Sequence, residues 1–242
     1  DDMCVAYQKE HGQRIIASQK SDSENSIEKA NYVAPETPVG SVEFVKGKVW
    51  VKTESGQTSP LRKGMKVNES DTIITSNEGR AQIELIDGNT MSVLPDSQTK
   101  LTKVQVDKSN KKTMIDLIKG KVRNKVKHKY KGADYFRVRT RSAVAGVRGT
   151  DFVVSYEVTQ KAITKVQTIK GEVELKSGDD KQIQSVFTGQ EASFVIAANS
   201  GEVFSEDEIN KFIARGYMTP VYKMTAAELK KMDMQTDVEN DR

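Results

Sequence analysis

The stretch AVAGVRGTDFVV, residues 143–154, gathers the residue types used by phosphate loops and catalytic turns. Gly146 and Gly149 stand three apart, with Arg148 between them and Asp151 just after. A phosphate-binding loop leads from a strand into a helix whose N-terminus faces the anion. Here DFVVSYEV follows Gly149 and puts Phe152, Val154 and Tyr156 on one side at strand spacing. The glycine pair therefore reads as a tight strand-to-strand corner. Arg148 and Asp151 are then free to pair or to bond exposed backbone groups.

The second chemically loaded stretch is KVRNKVKHKYK, with a basic side chain at every odd position: Lys121, Arg123, Lys125, Lys127, Lys129 and Lys131. Val122, Val126 and Tyr130 sit among the even ones. On a strand, alternate residues share a face, so these cations would form a ladder with a spacing of about 6.6 Å. Such a row repels itself unless neighbouring strands carry acids or an anion lies along it. FRVRTRS continues the pattern with Arg137, Arg139 and Arg141. Residues 108–148 hold 14 Lys or Arg against two acids, Asp116 and Asp134, in a chain of net charge +4. Two readings fit: a solvated edge strand that resists aggregation, or a docking surface for a polyanion or protein partner. Aromatic interleaving is thin (Tyr130, Tyr135, Phe136), which makes nucleic acid a weak candidate.

Catalytic devices are scarce. The two histidines, His11 and His128, fall in a tail and in the basic run, and no serine or cysteine nucleophile motif accompanies them. The single cysteine, Cys4, permits no internal disulfide and no thiolate metal cluster. Acids such as Asp87, Asp96, Asp179 and Asp180 sit where turn formers sit. The expectation is a protein that is not an enzyme and needs no cofactor or metal.

The elements that must position these residues are mostly strands. Residues 1–39 carry seven acids and four basic residues and end in VAPETPVG, a polar tail or linker. From 41 onward the pattern is period-two alternation. AQIELIDGNTMSVL predicts a hairpin at Asp87–Gly88, and TKVQTIKGEVELKSGDDKQIQSV predicts another at Ser177–Gly178–Asp179. One phrase recurs three times: FVKGKVWVK at 44–52, LIKGKVRNKV at 117–126 and TIKGEVELK at 168–176. Its glycine marks a bulge or kink, and the repetition predicts a stacked or pseudo-repeated body. After 200, Ser205 with Glu208 starts one helix, ending at Gly216 with Ile209, Phe212 and Ile213 on its apolar face. Thr225 with Glu228 starts a second, and the last ten residues read as a frayed polar end. No run approaches the roughly 18 apolar residues that cross a bilayer. The chain begins at Asp1, which fits a cleaved export signal or a trimmed terminus.

FRVRTRSAVAGVRGTDFVV resembles the signature of the FecR domain, F-x-V-x-T-P…A-x-x-G-V-R-G-T-x-F, with Arg141 where the family commonly has proline. The likeness extends through GSVEFVKGKVWV, the segment 61–101, IDLIKGKVRNKV and TKVQTIKGEVELK, about two-thirds of the chain. It implies an exported, non-enzymatic all-β domain working outside the cytoplasmic membrane. In the best-known members this domain follows a membrane helix and a segment that controls a sigma factor. Neither is visible here, so the sigma-regulator role is not carried over.

The combined expectation is an all-β, pseudo-repeated antiparallel β-sandwich or β-solenoid-like domain over 40–200. A tail covers 1–39 and a helical extension covers 201–242. The expected role is a periplasmic or secreted binding or scaffold protein. Its contact surface comprises Lys121, Arg123, Lys125, Lys127, Lys129, Arg137, Arg139 and Arg141, facing anionic envelope polymer or an envelope protein. Gly146, Arg148, Gly149 and Asp151 form the family-motif turn. The alternatives are a signalling module that binds a receptor domain by strand addition and, third, a hydrolase of envelope polysaccharide.

Overall fold

The computed structural model describes residues 38–107, 110–197 and 212–238. Expectations for Cys4, His11, the N-terminal tail and the Ser205–Glu208 helix start lie outside them. The body is all-β with one short C-terminal helix. The strands are β1 (Gly40–Lys46), β2 (Val49–Lys52), β3 (Thr58–Pro60), β4 (Lys66–Val67), β5 (Thr72–Thr75) and β6 (Arg80–Leu85). They continue as β7 (Thr90–Val93), β8 (Gln98–Val106), β9 (Lys111–Lys125), β10 (Tyr135–Arg139), β11 (Ala143–Val147) and β12 (Asp151–Val158). The last are β13 (Lys161–Lys170), β14 (Glu172–Ser177), β15 (Ile183–Phe187), β16 (Gln190–Ala197), β17 (Tyr217–Met218) and β18 (Tyr222–Lys223), followed by helix α1 (Ala226–Thr236).

Pairing sorts the strands into two leaves of one open sheet. The first leaf runs β4-β1-β6-β7-β9-β12-β13-β16, with β17 and β18 beside β16. The second runs β3-β2-β5-β8-β9-β10-β11-β14-β15. β9 belongs to both: Lys111–Lys119 pairs with β8, and Lys121–Lys125 pairs with β12. The β9–β10 pairing is parallel, so the sheet is mixed rather than purely antiparallel as expected. The reason is the route of the chain, which leaves β9 in the first leaf and returns through residues 126–134 to start a second-leaf strand in the same direction.

The leaves face each other across one core. Strand β13 alternates buried and half-buried positions along its length. Phe136 of β10 meets Phe152 of β12 edge-on at 6.3 Å between ring centroids. Thr140 and Thr164 share a 2.6 Å hydroxyl bond within that interior. The Asp87–Gly88 hairpin forms as expected, with the Gly88 N–H donating to the Leu85 carbonyl at 2.8 Å.

The thrice-repeated phrase has a single structural meaning. It lies where the chain changes leaf: β1 to β2, the middle of β9, and β13 to β14. At the second of these, Gly120 has φ +86°. A Cβ there would strike Ser97 and come within 2.6 Å of the Asp96 carbonyl oxygen. Only glycine meets both demands.

Of the expected helix that ends at Gly216, the described residues are Phe212, in helical conformation, and a closing 3-10 turn, Ile213–Arg215, with Phe212 and Ile213 packed on the core. The Thr225–Glu228 capping box forms and opens α1. The helix continues to Thr236 and Val238 is fully buried, so residues 233–238 are held on the body rather than frayed.

Gly120→Ala is expected to lower stability by roughly 2–4 kcal/mol, through strain and the backbone clash together. Gly56 has φ +88°, and a Cβ added there would meet nothing within 4 Å. Gly56→Ala is expected to cost only about 1 kcal/mol. Urea unfolding of the two variants beside wild type measures the contrast.

Candidate interaction surfaces

The six-cation ladder does not form. β9 ends at Lys125, so Lys127, Lys129 and Lys131 lie in a following loop rather than on a strand face. That loop is pinned by the Asp87 hairpin. Lys127 N–H donates to Asn89 Oδ1 at 2.9 Å, and His128 Nε2 lies 2.7 Å from the Asp87 carbonyl oxygen. The Tyr130 hydroxyl donates to Asp87 Oδ2 at 2.8 Å and accepts from Asn89 Nδ2 at 2.8 Å. Tyr130 is buried against Phe136. Burial, and then the charge of Asp87 and its bond to the hydroxyl, push the phenol above its usual pKa.

Arg123, expected on the contact surface, is covered by the C-terminal segment: its side chain is 3% exposed. Its Nε and Nη2 donate to the two oxygens of Asp151 at 2.9 and 2.7 Å. Nη2 also lies 2.8 Å from Asp233, and Nη1 lies 3.8 Å from Asp237 and 3.3 Å from Thr236 Oγ1. Lys125 Nζ bonds Asp237 at 3.0 Å. Burial alone lowers the Arg123 pKa, but the bonds and charges of Asp151 and Asp233 outweigh it, and the net shift is upward. A self-repelling cation row needs acids beside it, and here the chain supplies them. Asp151 is thus paired across β9 and β12 rather than with Arg148.

The remaining signature residues shape the opposite face. Gly149, φ +98°, turns β11 into β12 and crosses between leaves, the corner that the sequence predicts. A Cβ on Gly149 would meet the His128 carbonyl oxygen at 3.1 Å. Gly146 is in the middle of β11, level with Arg137 on one side and Glu174 on the other. The nearest atom to its absent Cβ is 4.0 Å away, which leaves an open trough of about 560 Å³ over the second leaf. Tyr135 and Arg137 line one side and Glu172 and Glu174 the other, and Arg148, just past the end of β11, also lines it. The Arg137 guanidinium sits 4.5 Å over the Tyr135 ring. Glu172 accepts from Ser185 at 2.8 Å, and the neighbouring strand β15 exposes Ile183 and Phe187 by 56% and 50%. Arg139 stands apart, tied to both oxygens of Asp116 at 2.8 and 2.7 Å, and Arg141 is half-buried.

Residues 71–174 match the family model described as FecR protein. This segment is a FecR domain. It runs from the start of β5 to the middle of β14, so β1–β4 and β15–β18 extend the FecR core at both ends. Two crystal structures of an anti-sigma factor candidate from Parabacteroides distasonis ATCC 8503 show partial likeness. One has 18% identity and a TM-score of 0.42 over 55% of this chain and 57% of that one. The other has 20% identity and a TM-score of 0.41 over 54% and 56%. The chain thus spans a little over half the length of these two structures. A cell surface anchoring domain matches at 25% identity and a TM-score of 0.26 over 26% of this chain and 84% of that one. No curated protein matches.

Within the FecR domain seven of the sequence-predicted residues fall into three groups. Arg123 and Asp151 form a buried pair; Gly146 and Arg148 line the trough with Arg137; Lys127 and Lys129 are exposed on the pinned loop. Sequence reasoning missed Asp233 and Asp237, whose spacing of four gave a signal, though nothing local tied them to Arg123. It also missed Glu172 and Glu174, which alternate on β14 as outward residues do. Among the described residues no group of three or more His, Cys, Asp or Glu is placed to hold a metal, and no helix is long and apolar enough to cross a membrane.

Arg123→Gln leaves the half-buried Asp151 without its cation and is expected to lower stability by about 2–4 kcal/mol. Arg139→Gln, at a pair whose arginine is 47% exposed, is expected to change it by less than about 1 kcal/mol. Chemical denaturation of both variants distinguishes the two. Tyr130→Phe is expected to lower stability by about 1–2 kcal/mol at neutral pH. The folded phenol holds its proton longer than the unfolded one, so this contribution is complete below about pH 10 and lost as pH rises beyond it. The gap between wild type and Tyr130→Phe should therefore narrow in alkali, as pH-resolved unfolding would show.

Proposed function

We propose that the chain is a protein-binding module of the signalling or regulatory kind, and that its FecR domain engages the partner across the trough of the second leaf. The observation that carries this reading is the missing side chain at Gly146, set between Arg137 with Tyr135 on one flank and Glu172 with Glu174 on the other. Both charge signs, a stacked Arg–Tyr pair and two nearby exposed apolar residues suit a polypeptide surface. A uniform polyanion would meet the glutamates. The charge of the basic run is partly matched within the chain, by Asp151, Asp233 and Asp237 around Arg123 and Lys125. Location outside the cytoplasmic membrane and absence of catalysis belong to the same reading and rest on the family.

Side-chain docking suits this face better than strand addition at β15. Among the described pairings β15 bonds only β14, but the peptide group between Val186 and Phe187 is already engaged. The Val186 carbonyl accepts from Thr168 at 3.0 Å, and the Phe187 N–H donates to Gln190 at 2.9 Å. Next to the strand, the Gln182 side chain bonds Gly216 and Met218. A short central stretch is a poor template for a new strand.

Photo-crosslinking in cells tests the proposal, with the probe at Ser185 beside the trough or at Thr58 on the far edge strand. A protein adduct from Ser185, lost in Arg137→Ala/Arg148→Ala and absent from Thr58, is expected. Adducts of equal yield from both positions would overturn it. So would salt-sensitive retention on isolated envelope polymer with no protein adduct, which favours the scaffold role.

A further inference from the structure

The opposite face of the molecule carries a second site, independent of the trough. The outer surface of the first leaf has Arg123 at its centre, aligned across strands with Ser92 and Val153. The chain covers this surface with its own C-terminus. From β18 beside β16, the segment passes through Met224 into α1. Met224, Met232 and Leu229 then pack on Val153 and Ile169, while Asp233 and Asp237, one helical turn apart, reach Arg123 and Lys125. Arg80 Nη1 adds a bond to the Gln235 carbonyl at 2.9 Å.

We infer that this face is a binding site for an acidic amphipathic helix, occupied in cis by α1 and open to exchange with a partner helix of the same chemistry. Three features mark α1 as an exchangeable occupant. Its apolar contact is small: Met232 is its one buried hydrophobic residue, and methionine packs adaptably. Its acids Asp233 and Asp237 sit at its C-terminal end, where the helix dipole disfavours negative charge, so its placement depends on the cations beneath. Arg123 keeps Asp151 as a bidentate partner when α1 leaves, so the body tolerates an empty face. The fitting partner offers two carboxylates four residues apart, beside a methionine or leucine one turn earlier.

The test uses the full chain and a fluorescent peptide spanning residues 224–242. Wild type should bind it weakly, because the tethered helix competes at an effective concentration on the order of millimolar. Asp233→Asn/Asp237→Asn in the chain weakens the cis occupant, and the same peptide should then bind about tenfold more tightly or better. A peptide carrying the same two asparagines should not bind this variant. Hydrogen exchange across 226–236 should speed up in the variant. Unchanged exchange, equal affinity of both chains for the peptide, or equal affinity for the two peptides would each overturn the inference.

Discussion

The architecture depends on one strand serving two leaves. β9 has four neighbours: β8 and β10 along its first part, β7 and β12 along its second. A strand of 15 residues cannot keep one face inward through such a change without a break in its pleat. Gly120 supplies the break, at a backbone angle and a clearance that exclude any Cβ. Either side of it the inward residues are Ile115 and Leu117, then Val122 and Asn124, so both halves feed the same interior.

That bend has an electrostatic consequence. It turns Lys121, Arg123 and Lys125 onto the outer face of the first leaf, where the C-terminal helix lies. A guanidinium with so little exposure is tolerable only with charge-assisted partners on most of its donors. Asp151 provides two bonds from the next strand, and α1 provides the rest from more than a hundred residues away. Long-range neutralisation of this kind joins the last element of the chain to its middle, and it does so with little apolar area.

How far the sequence foretold this follows from the range of each interaction. The Asp87–Gly88 hairpin and the Thr225–Glu228 cap are written in neighbouring residues, and both form. The repeated Lys-Gly-x-Val phrase was legible as a kink but not as a change of leaf, because direction depends on strands far away. The basic run misled for the same reason. Period-two spacing fixes which side chains share a face only while the strand lasts, and β9 stops at Lys125. Whether a shared face meets solvent or a helix is set by what returns to cover it. Asp233 and Asp237 look like tail residues until Arg123 is known to lie beneath them.

The signature that marks the FecR domain is, on this geometry, two things superposed. Gly149 and Asp151 are architectural: one carries the chain across the leaves and the other holds a buried cation. Gly146 and Arg148 have no such duty. Gly146 sits in a regular strand outside the positive-φ region, where a Cβ would meet nothing nearer than 4.0 Å. Alanine would fit there and would favour the strand. On the proposed function, a glycine that the backbone does not require keeps the trough open to a partner that approaches it closely. In that proposal Arg137 and Glu174, level with it on either side, are the groups that would fix the register of the partner. The fold accounts for Gly149 and Asp151, and the proposed docking surface is what would account for Gly146 and Arg148.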